Sequence, residues 1–174
     1  EDAMNSIGLS FQGSNLIQRH IINPKDVWND LLRWLFIKQK DYGKALIQNK
    51  ALYARNNDRL VSIYQLGEIA FDNGDYDTAK KCFDFIIEKT NYQRDKFNAI
   101  RMNLKIAVIK NDPEVGQKFN AVFNEFGINS NTFFIQVAYA DYLTFTKNKP
   151  EEAKKVLETA LPFSQNKFQK ARVK

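Results

Sequence analysis

Residues 64–87 read YQLGEIAFDNGDYDTAKKCFDFII, and the acidic residues at the centre of this stretch decide how the chain is interpreted. One glycine lies among three aspartates: Asp72, Gly74, Asp75 and Asp77. A calcium-binding loop needs glycine at its sixth position and an acidic residue at its twelfth. Counted from Asp72, the glycine is third and the twelfth residue is Phe83. We therefore predict two helices joined by a turn, in which Gly74 ends the first helix at positive φ and Asp75 or Asp77 caps the second.

The same pattern recurs along the chain at a regular distance. Asp41-Tyr42 matches Asp75-Tyr76 at a step of 34 residues. Residues 148–161 repeat the apolar spacing of the second helix, at Ala153, Val156, Leu157, Ala160 and Leu161. These positions step i, i+3, i+4, i+7 and i+8, which places them along one side of a helix.

Residues 111–129 contain a further helix of this kind. Asp112 is its predicted N-cap, Pro113 its first helical residue and Gly127 its stop. Its predicted apolar face is Val115, Phe119, Val122, Phe123 and Phe126. The preceding helices are predicted at about 26–39, 60–73, 94–110 and 132–147. The sequence thus predicts an all-α fold of four helix-turn-helix repeats, at 26–59, 60–93, 94–131 and 132–165.

The repeat at 60–93 resembles the tetratricopeptide repeat (TPR) family. The matching residues are Leu66, Gly67, Gly74, Asp75, Tyr76, Ala79, Phe83 and Ile86. In such a repeat Gly67 and Ala79 let two helix backbones approach, while larger side chains fill the gaps. The other repeats depart from the pattern at Arg33, Asn49, Arg101, Asp141 and Pro150. The resemblance implies a right-handed α-α superhelix, or solenoid, of about four TPR-like repeats.

The two ends of the chain also fit an array of repeats. Residues 1–25 are interpreted as a helical lead-in, the second helix of a degenerate repeat, and 166–174 as the start of a further helix. A solenoid normally closes with a polar capping element, so we expect a fragment of a larger bacterial TPR protein. Open ends favour self-association. The compartment, bacterial cytoplasm or periplasm, stays undetermined.

The charge and the apolar runs limit the partners. Much of the net charge of +6 comes from Lys167, Lys170, Arg172 and Lys174. A basic chain end is more often solvated than a nucleic-acid footprint, so nucleic acid is the alternative partner, with Lys80, Lys81, Lys154 and Lys155 as its further support. The longest apolar runs fall short of the roughly 20 residues of a membrane-spanning helix. We therefore predict no transmembrane segment, and no signal peptide is visible at the first residues.

The sequence contains no predicted catalytic, cofactor or metal site. His20 is the only histidine, and Cys82 lies on the core side of its helix, where cysteine usually behaves as a small hydrophobe. Glu151 and Glu152 open a helix, a placement that the helix dipole favours. We therefore predict a protein that is not an enzyme and that acts through a surface.

The TPR resemblance implies that the first helix of each repeat lines an inner groove, where protein or peptide partners bind. The groove-facing positions are Val27, Asp30, Leu31, Trp34, Ile37, Lys38, Val61, Tyr64, Gln65, Glu68, Phe71, Asp72, Asp95, Asn98, Ala99, Met102, Lys105, Ile135, Ala138, Tyr139, Tyr142 and Phe145. The predicted partner-binding residues among them are Trp34, Ile37, Tyr64, Gln65, Glu68, Phe71, Met102, Tyr139 and Tyr142. The cationic clamp with which chaperone-tail binders of this family hold a terminal carboxylate is absent.

A largely apolar groove favours an amphipathic helix or a hydrophobic segment as its ligand. The predicted function is accordingly a protein-interaction scaffold. The same aromatic side chains could instead be buried against adjacent helices or covered by residues 1–25, and the sequence leaves both alternatives open.

Overall fold

A computed structural model describes residues 24–55 and 59–173 of the chain. The predictions for His20 and for most of the lead-in at 1–25 lie outside these ranges. The chain divides into two compact units, residues 1–57 and 58–174. The described residues form helices and no strand, which confirms the predicted all-α class.

The described residues of the first unit form two packed helices, α1 (Pro24–Lys38) and α2 (Tyr42–Arg55). Ala45 and Leu52 of α2 are fully buried. Side-chain hydrogen bonds also join the helices. Asn29 Nδ2 donates to Gln48 Oε1 at 2.6 Å, and the Arg55 guanidinium donates to the Asp26 carboxylate and to Asn29 Oδ1. The pairing therefore combines an apolar contact with hydrogen bonds at its edge.

The second unit continues the alternation of longer helices and short turns. Its helices are α3 (Leu60–Asp72), α4 (Tyr76–Lys89), α5 (Gln93–Ile109), α6 (Val115–Phe126), α7 (Phe133–Phe145), α8 (Pro150–Ala160), a 3-10 turn (Leu161–Phe163) and α9 (Lys167–Val173). Within this unit α3 packs on α4, α4 on α5, and α7 on α8. The predicted first helices agree with α1, α3, α5 and α7 to within two residues.

A glycine of α3 permits a close contact between α3 and α4. A Cβ atom added at Gly67 would lie 3.0 Å from the Cβ of Cys82 and 3.0 Å from the Phe83 ring. Ala79, Cys82 and Phe83 of α4 are fully buried. The structure therefore confirms that Gly67 and Ala79 let the two backbones approach, and it places Cys82 in the core as predicted.

Helix α6 packs through aromatic rings and not through a glycine contact of the kind that joins α3 to α4. It approaches α5 over only a short stretch. Phe126 meets Phe97 of α5 edge-on at 5.2 Å between ring centroids, and Phe119 meets Tyr139 of α7 at 4.9 Å. The predicted apolar face of α6 is confirmed, with Val115 and Phe119 buried and the remaining members partly buried against the same cluster. Large rings thus replace a close backbone contact here.

The three turns after α1, α3 and α5 share one hydrogen-bonded form. Positive φ angles occur at Lys40 (58°), Gly74 (82°) and Asn111 (53°), each followed by an aspartate. The N–H groups of Asp41, Asp75 and Asp112 donate to the carbonyls of Phe36, Ala70 and Ala107 at 2.8, 2.9 and 3.0 Å. This pattern is a Schellman helix ending, which satisfies carbonyls that the helix leaves free. Asn148, with φ of 51°, occupies the turn between α7 and α8.

The aspartate after the positive-φ residue starts the next helix. Asp75 Oδ1 accepts the N–H of Thr78 at 3.0 Å, and Asp41 Oδ1 accepts that of Lys44 at 3.1 Å. Asp77 instead bonds to Lys110 Nζ at 2.6 Å. Of the two candidate caps, Asp75 is therefore the cap of α4.

The start of α6 differs from its prediction. Asp112 Oδ1 accepts the N–H of Glu114 at 2.8 Å, so it caps a single turn at Pro113, and α6 begins only at Val115. Gly127 ends α6 with φ of 74°, as predicted.

Replacing Gly67 by alanine should destabilise the chain by about 1–3 kcal/mol, because the added methyl group meets the Cβ of Cys82, which cannot move away alone. Gly116→Ala is the matched control. Apart from the adjoining residues and the backbone of α6 itself, no atom lies within 4 Å of the place that a methyl group would take at Gly116, so alanine should stabilise by about 0.5–1 kcal/mol. Urea denaturation measures both changes, and equal effects would contradict the close contact at Gly67.

Asp75→Ala should lower the free energy of unfolding by about 1 kcal/mol, because it removes the N-cap of α4. Asp77→Ala, at an exposed ion pair, should change it far less. Thermal unfolding with calcium chloride and with EDTA distinguishes a cap from a metal ligand. A loss that occurs only in the presence of calcium would contradict the structural role of Asp75.

Candidate binding groove

Two neighbouring hollows lie on the second unit between its first helices. The first encloses about 600 Å³ and is lined by Gln65, Glu68, Ile69, Phe71, Asp72, Met102 and Lys105. The second encloses about 350 Å³ and is lined by Arg101, Met102, Lys105, Val108, Phe119, Phe134, Val137, Ala138, Asp141, Tyr142, Phe145 and Thr146. Met102 and Lys105 belong to both hollows. We call this continuous depression along α3, α5 and α7 the groove.

The first hollow combines an aromatic wall with charges of both signs. The Phe71 ring meets the Tyr76 ring edge-on at 5.5 Å, which fixes its position at the end of α3. Lys105 Nζ lies 4.7 Å from the centre of the Phe71 ring, within the range of a cation–π contact. The exposed carboxylates of Glu68 and Asp72 complete this part of the groove.

The second hollow has an apolar floor and a mixed rim. Phe119, Val137 and Tyr142 line it and are almost fully buried, with exposed fractions of 1%, 4% and 6%. Phe145 lies at its edge and is 83% exposed. A pocket of this kind can receive one large apolar side chain, while the exposed ring adds contact area at its mouth.

Arg101 shapes this hollow. It lies 34 residues after Gly67, at the place where the repeat has glycine. A guanidinium side chain does not fit into the close contact that glycine permits, and α6 accordingly approaches α5 over only a short stretch. The Arg101 guanidinium lies 5.9 Å from the Phe134 ring of α7. The hollow therefore opens where the repeat departs from its own pattern.

Most predicted groove residues of α3 and α5 line the groove. These are Gln65, Glu68, Phe71, Asp72, Met102 and Lys105. On α7 the lining includes the predicted Ala138, Tyr142 and Phe145. Tyr142, however, is buried, so it belongs to the floor and does not project as an anchor.

Several predicted groove positions face the core instead. Tyr139 lies against Phe119 and Phe123, Tyr64 meets Phe83 edge-on at 5.5 Å, and neither lines the groove. Ala99 and Ile135 are also corrected, because both are buried in the core with at most 1% of their surface exposed. Val61, Asp95 and Asn98 line neither hollow.

The sequence analysis missed the lining residues Phe134, Val137 and Asp141. The apolar residues of α7 surround the helix, so their periodicity does not show which side is free. Asp141 is the only charged residue of α7. Phe134, Val137 and Ala138 precede it by seven, four and three residues, so they lie on the same side of the helix. That single charge was the available signal for the orientation of α7.

Two of the predicted partner-binding residues, Trp34 and Ile37, lie on α1 of the first unit. Trp34 is 55% exposed and has Lys38 Nζ 5.7 Å from its ring, while Ile37 is partly buried. Trp34 is therefore a large apolar side chain available on the surface of that unit.

The basic residues named for a nucleic-acid partner lie on second helices and away from the groove. Lys80 Nζ is bonded to Asp84 at 2.6 Å, and Lys81, Lys154 and Lys155 are exposed on α4 and α8. Glu151 and Glu152 lie in the first turn of α8, as predicted.

Within residues 24–55 and 59–173, no cluster of histidine, cysteine and acidic side chains is arranged to hold a metal ion. Over the same ranges, every helix is too short or too polar to cross a membrane. Comparison with protein-family models, with curated proteins and with solved structures gave no match.

Burial raises the pKa of the Tyr64 hydroxyl above its ordinary value of 10.0, and the nearby Glu68 carboxylate adds to this effect. The neutral phenol is thus favoured in the folded chain. Its contribution to stability is complete below the ordinary pKa and is lost as pH rises through the raised pKa. Stability should therefore fall above about pH 10, and less steeply in Tyr64→Phe, which cannot ionise.

Urea denaturation at a series of alkaline pH values measures this difference. Wild type and Tyr64→Phe are compared first at neutral pH, where both should fold. Parallel pH profiles of the two proteins would contradict the burial of the Tyr64 hydroxyl.

Proposed function

We propose that the chain is a TPR-like solenoid that binds an α-helical or extended segment of a protein partner in the groove, without catalysing a reaction. In this proposal the helix pairs follow the right-handed superhelix that the TPR resemblance implies. The observation that carries the proposal is the groove itself, which is lined by three successive first helices and by Phe119 of α6.

The chemistry of the groove supports a protein ligand. Phe71, Phe134 and Phe145 contribute aromatic surface along its length, and Phe134 and Phe145 remain 42% and 83% exposed. Aromatic groups in a concave, partly apolar surface are typical anchors of protein interfaces. Polar groups at the rim can fix the orientation of a bound segment.

The length of the groove favours an amphipathic helix over a single side chain or small molecule. Two hollows in series can take two apolar side chains of one ligand, as in helix-in-groove recognition, where anchors recur at i, i+3 or i+4 and i+7. The two hollows meet at Met102, an unbranched side chain that adapts to different shapes. This arrangement tolerates variation in the ligand between its anchors.

A display library of helical peptides of about 16 residues, roughly four turns, tests the proposal. We expect wild-type protein to select peptides with spaced apolar residues. Phe145→Ala should weaken the selected peptides at least tenfold, or about 1.4 kcal/mol, without lowering the melting temperature, because this ring is exposed.

Phe168→Ala is the matched control, since this phenylalanine is 88% exposed on α9 and does not line the groove. It should leave peptide affinity unchanged. Selection of no peptides, or of peptides that bind Phe145→Ala as well as wild type, would contradict binding in the groove.

A further inference from the structure

Two cations stand one helical turn apart where the two hollows meet. Arg101 and Lys105 both belong to α5, at positions i and i+4, and both line the second hollow. Among the described residues neither side chain has a carboxylate within ion-pair distance. Glu68, Asp72 and Asp141 line the same two hollows but form no ion pair with Arg101 or Lys105.

Aromatic rings lie beside both cations, but neither cation forms an ion pair with a described carboxylate. Lys105 lies over Phe71 and Arg101 lies near Phe134, at 4.7 and 5.9 Å from the ring centres. Arg101 Nε is shielded from water and has no hydrogen-bond partner among the described residues. A buried N–H group without an acceptor is unfavourable, and a ligand carboxylate that accepts from Arg101 Nε would offset that cost through a charge-assisted hydrogen bond.

The acids of the groove are in a different situation. Glu68 and Asp72 of α3 and Asp141 of α7 are exposed. Water solvates their carboxylates well, so a cationic ligand would gain little from pairing with them. The less solvated Arg101 favours an anionic ligand group over a cationic one.

We propose that the segment bound in the groove is an acidic amphipathic helix, with one large apolar side chain in the second hollow and a carboxylate one helical turn away on Arg101 and Lys105. The inference rests on the proposed function, since it specifies the ligand of the same groove. The apolar floor of Phe119, Val137 and Tyr142 receives the anchor, and the spacing of the two cations matches one turn of a ligand helix. The ligand group is a side-chain aspartate or glutamate.

Two helical peptides of about 16 residues provide the probe. Both contain a leucine anchor on an alanine-rich scaffold, and they differ only four residues later, where one has glutamate and the other lysine. Fluorescence anisotropy at low salt measures their affinities. The glutamate peptide should bind wild type at least tenfold more tightly, and added salt should reduce this difference.

Charge reversal in the protein gives the decisive comparison. Arg101→Glu should reverse the preference, so that the lysine peptide binds more tightly than the glutamate peptide. Lys105→Glu, at an exposed position, provides the same test should Arg101→Glu fail to fold. Lys81→Glu, with the same charge change on the exposed surface of α4, should leave the preference of wild type unchanged.

The outcomes separate this inference from the proposed function. Peptides that depend on Phe145 but show no preference for glutamate, or prefer lysine, overturn the acidic ligand and leave the groove as a binding site. Absence of any peptide that depends on Phe145 overturns both. Sedimentation that shows a dimer which excludes the peptides also overturns the inference, because the occupant would then be a second copy of the chain.

Discussion

The contact between α3 and α4 at Gly67 is the constraint on which the arrangement of the second unit depends. A methyl group there would already lie 3.0 Å from the Cβ of Cys82, so the distance between the two helices is set by the absence of a side chain. Phe83 and Ala79 complete this contact with almost no exposed surface. Where the same repeat position is Arg101, the next pair cannot close in this way, and the Phe97 and Phe126 rings form a contact between α5 and α6. The same repeat position thus lies at a close helix contact in one pair and beside the second hollow in the next.

The turns show how a repeat can keep its backbone while its sequence changes. Gly74 was predicted to adopt positive φ because glycine does so without steric cost, whereas Lys40, Asn111 and Asn148 gave no comparable signal. A non-glycine residue in this conformation costs roughly 1–2 kcal/mol, less for asparagine. The Schellman hydrogen bonds and the following aspartate recur at the first three of these turns and offset the cost. The aspartate was therefore the more general signal of the turn, and the glycine only its most visible instance.

The sequence predicted the all-α class, whereas the groove positions were carried over from the TPR resemblance, and only part of them line the two hollows. On α3 the TPR resemblance placed Glu68, Phe71 and Asp72 at the groove, and all three line the first hollow. On α5 only Met102 and Lys105 of the expected positions do so. Helix α7 is apolar nearly all round, and the prediction rotated it toward Tyr139 and Ile135, which pack against α6. The position of α6 could not be derived from the sequence, because it depends on how large rings fill a gap that Arg101 creates.

The position of Arg101 links the packing of the helices to the recognition of a ligand. In a core, an arginine at a helix contact with no carboxylate beside it is a defect, since it prevents close packing and leaves a charge poorly satisfied. On the wall of a groove it has the opposite consequence, because the free energy lost in the unbound protein becomes available to a ligand that supplies the missing carboxylate. The α3–α4 pair, closed tightly by Gly67, provides the rigid side against which such a ligand can be held. The less tightly paired α5 and α6 lie beside the second hollow, where the repeat has Arg101 in place of the glycine found at Gly67.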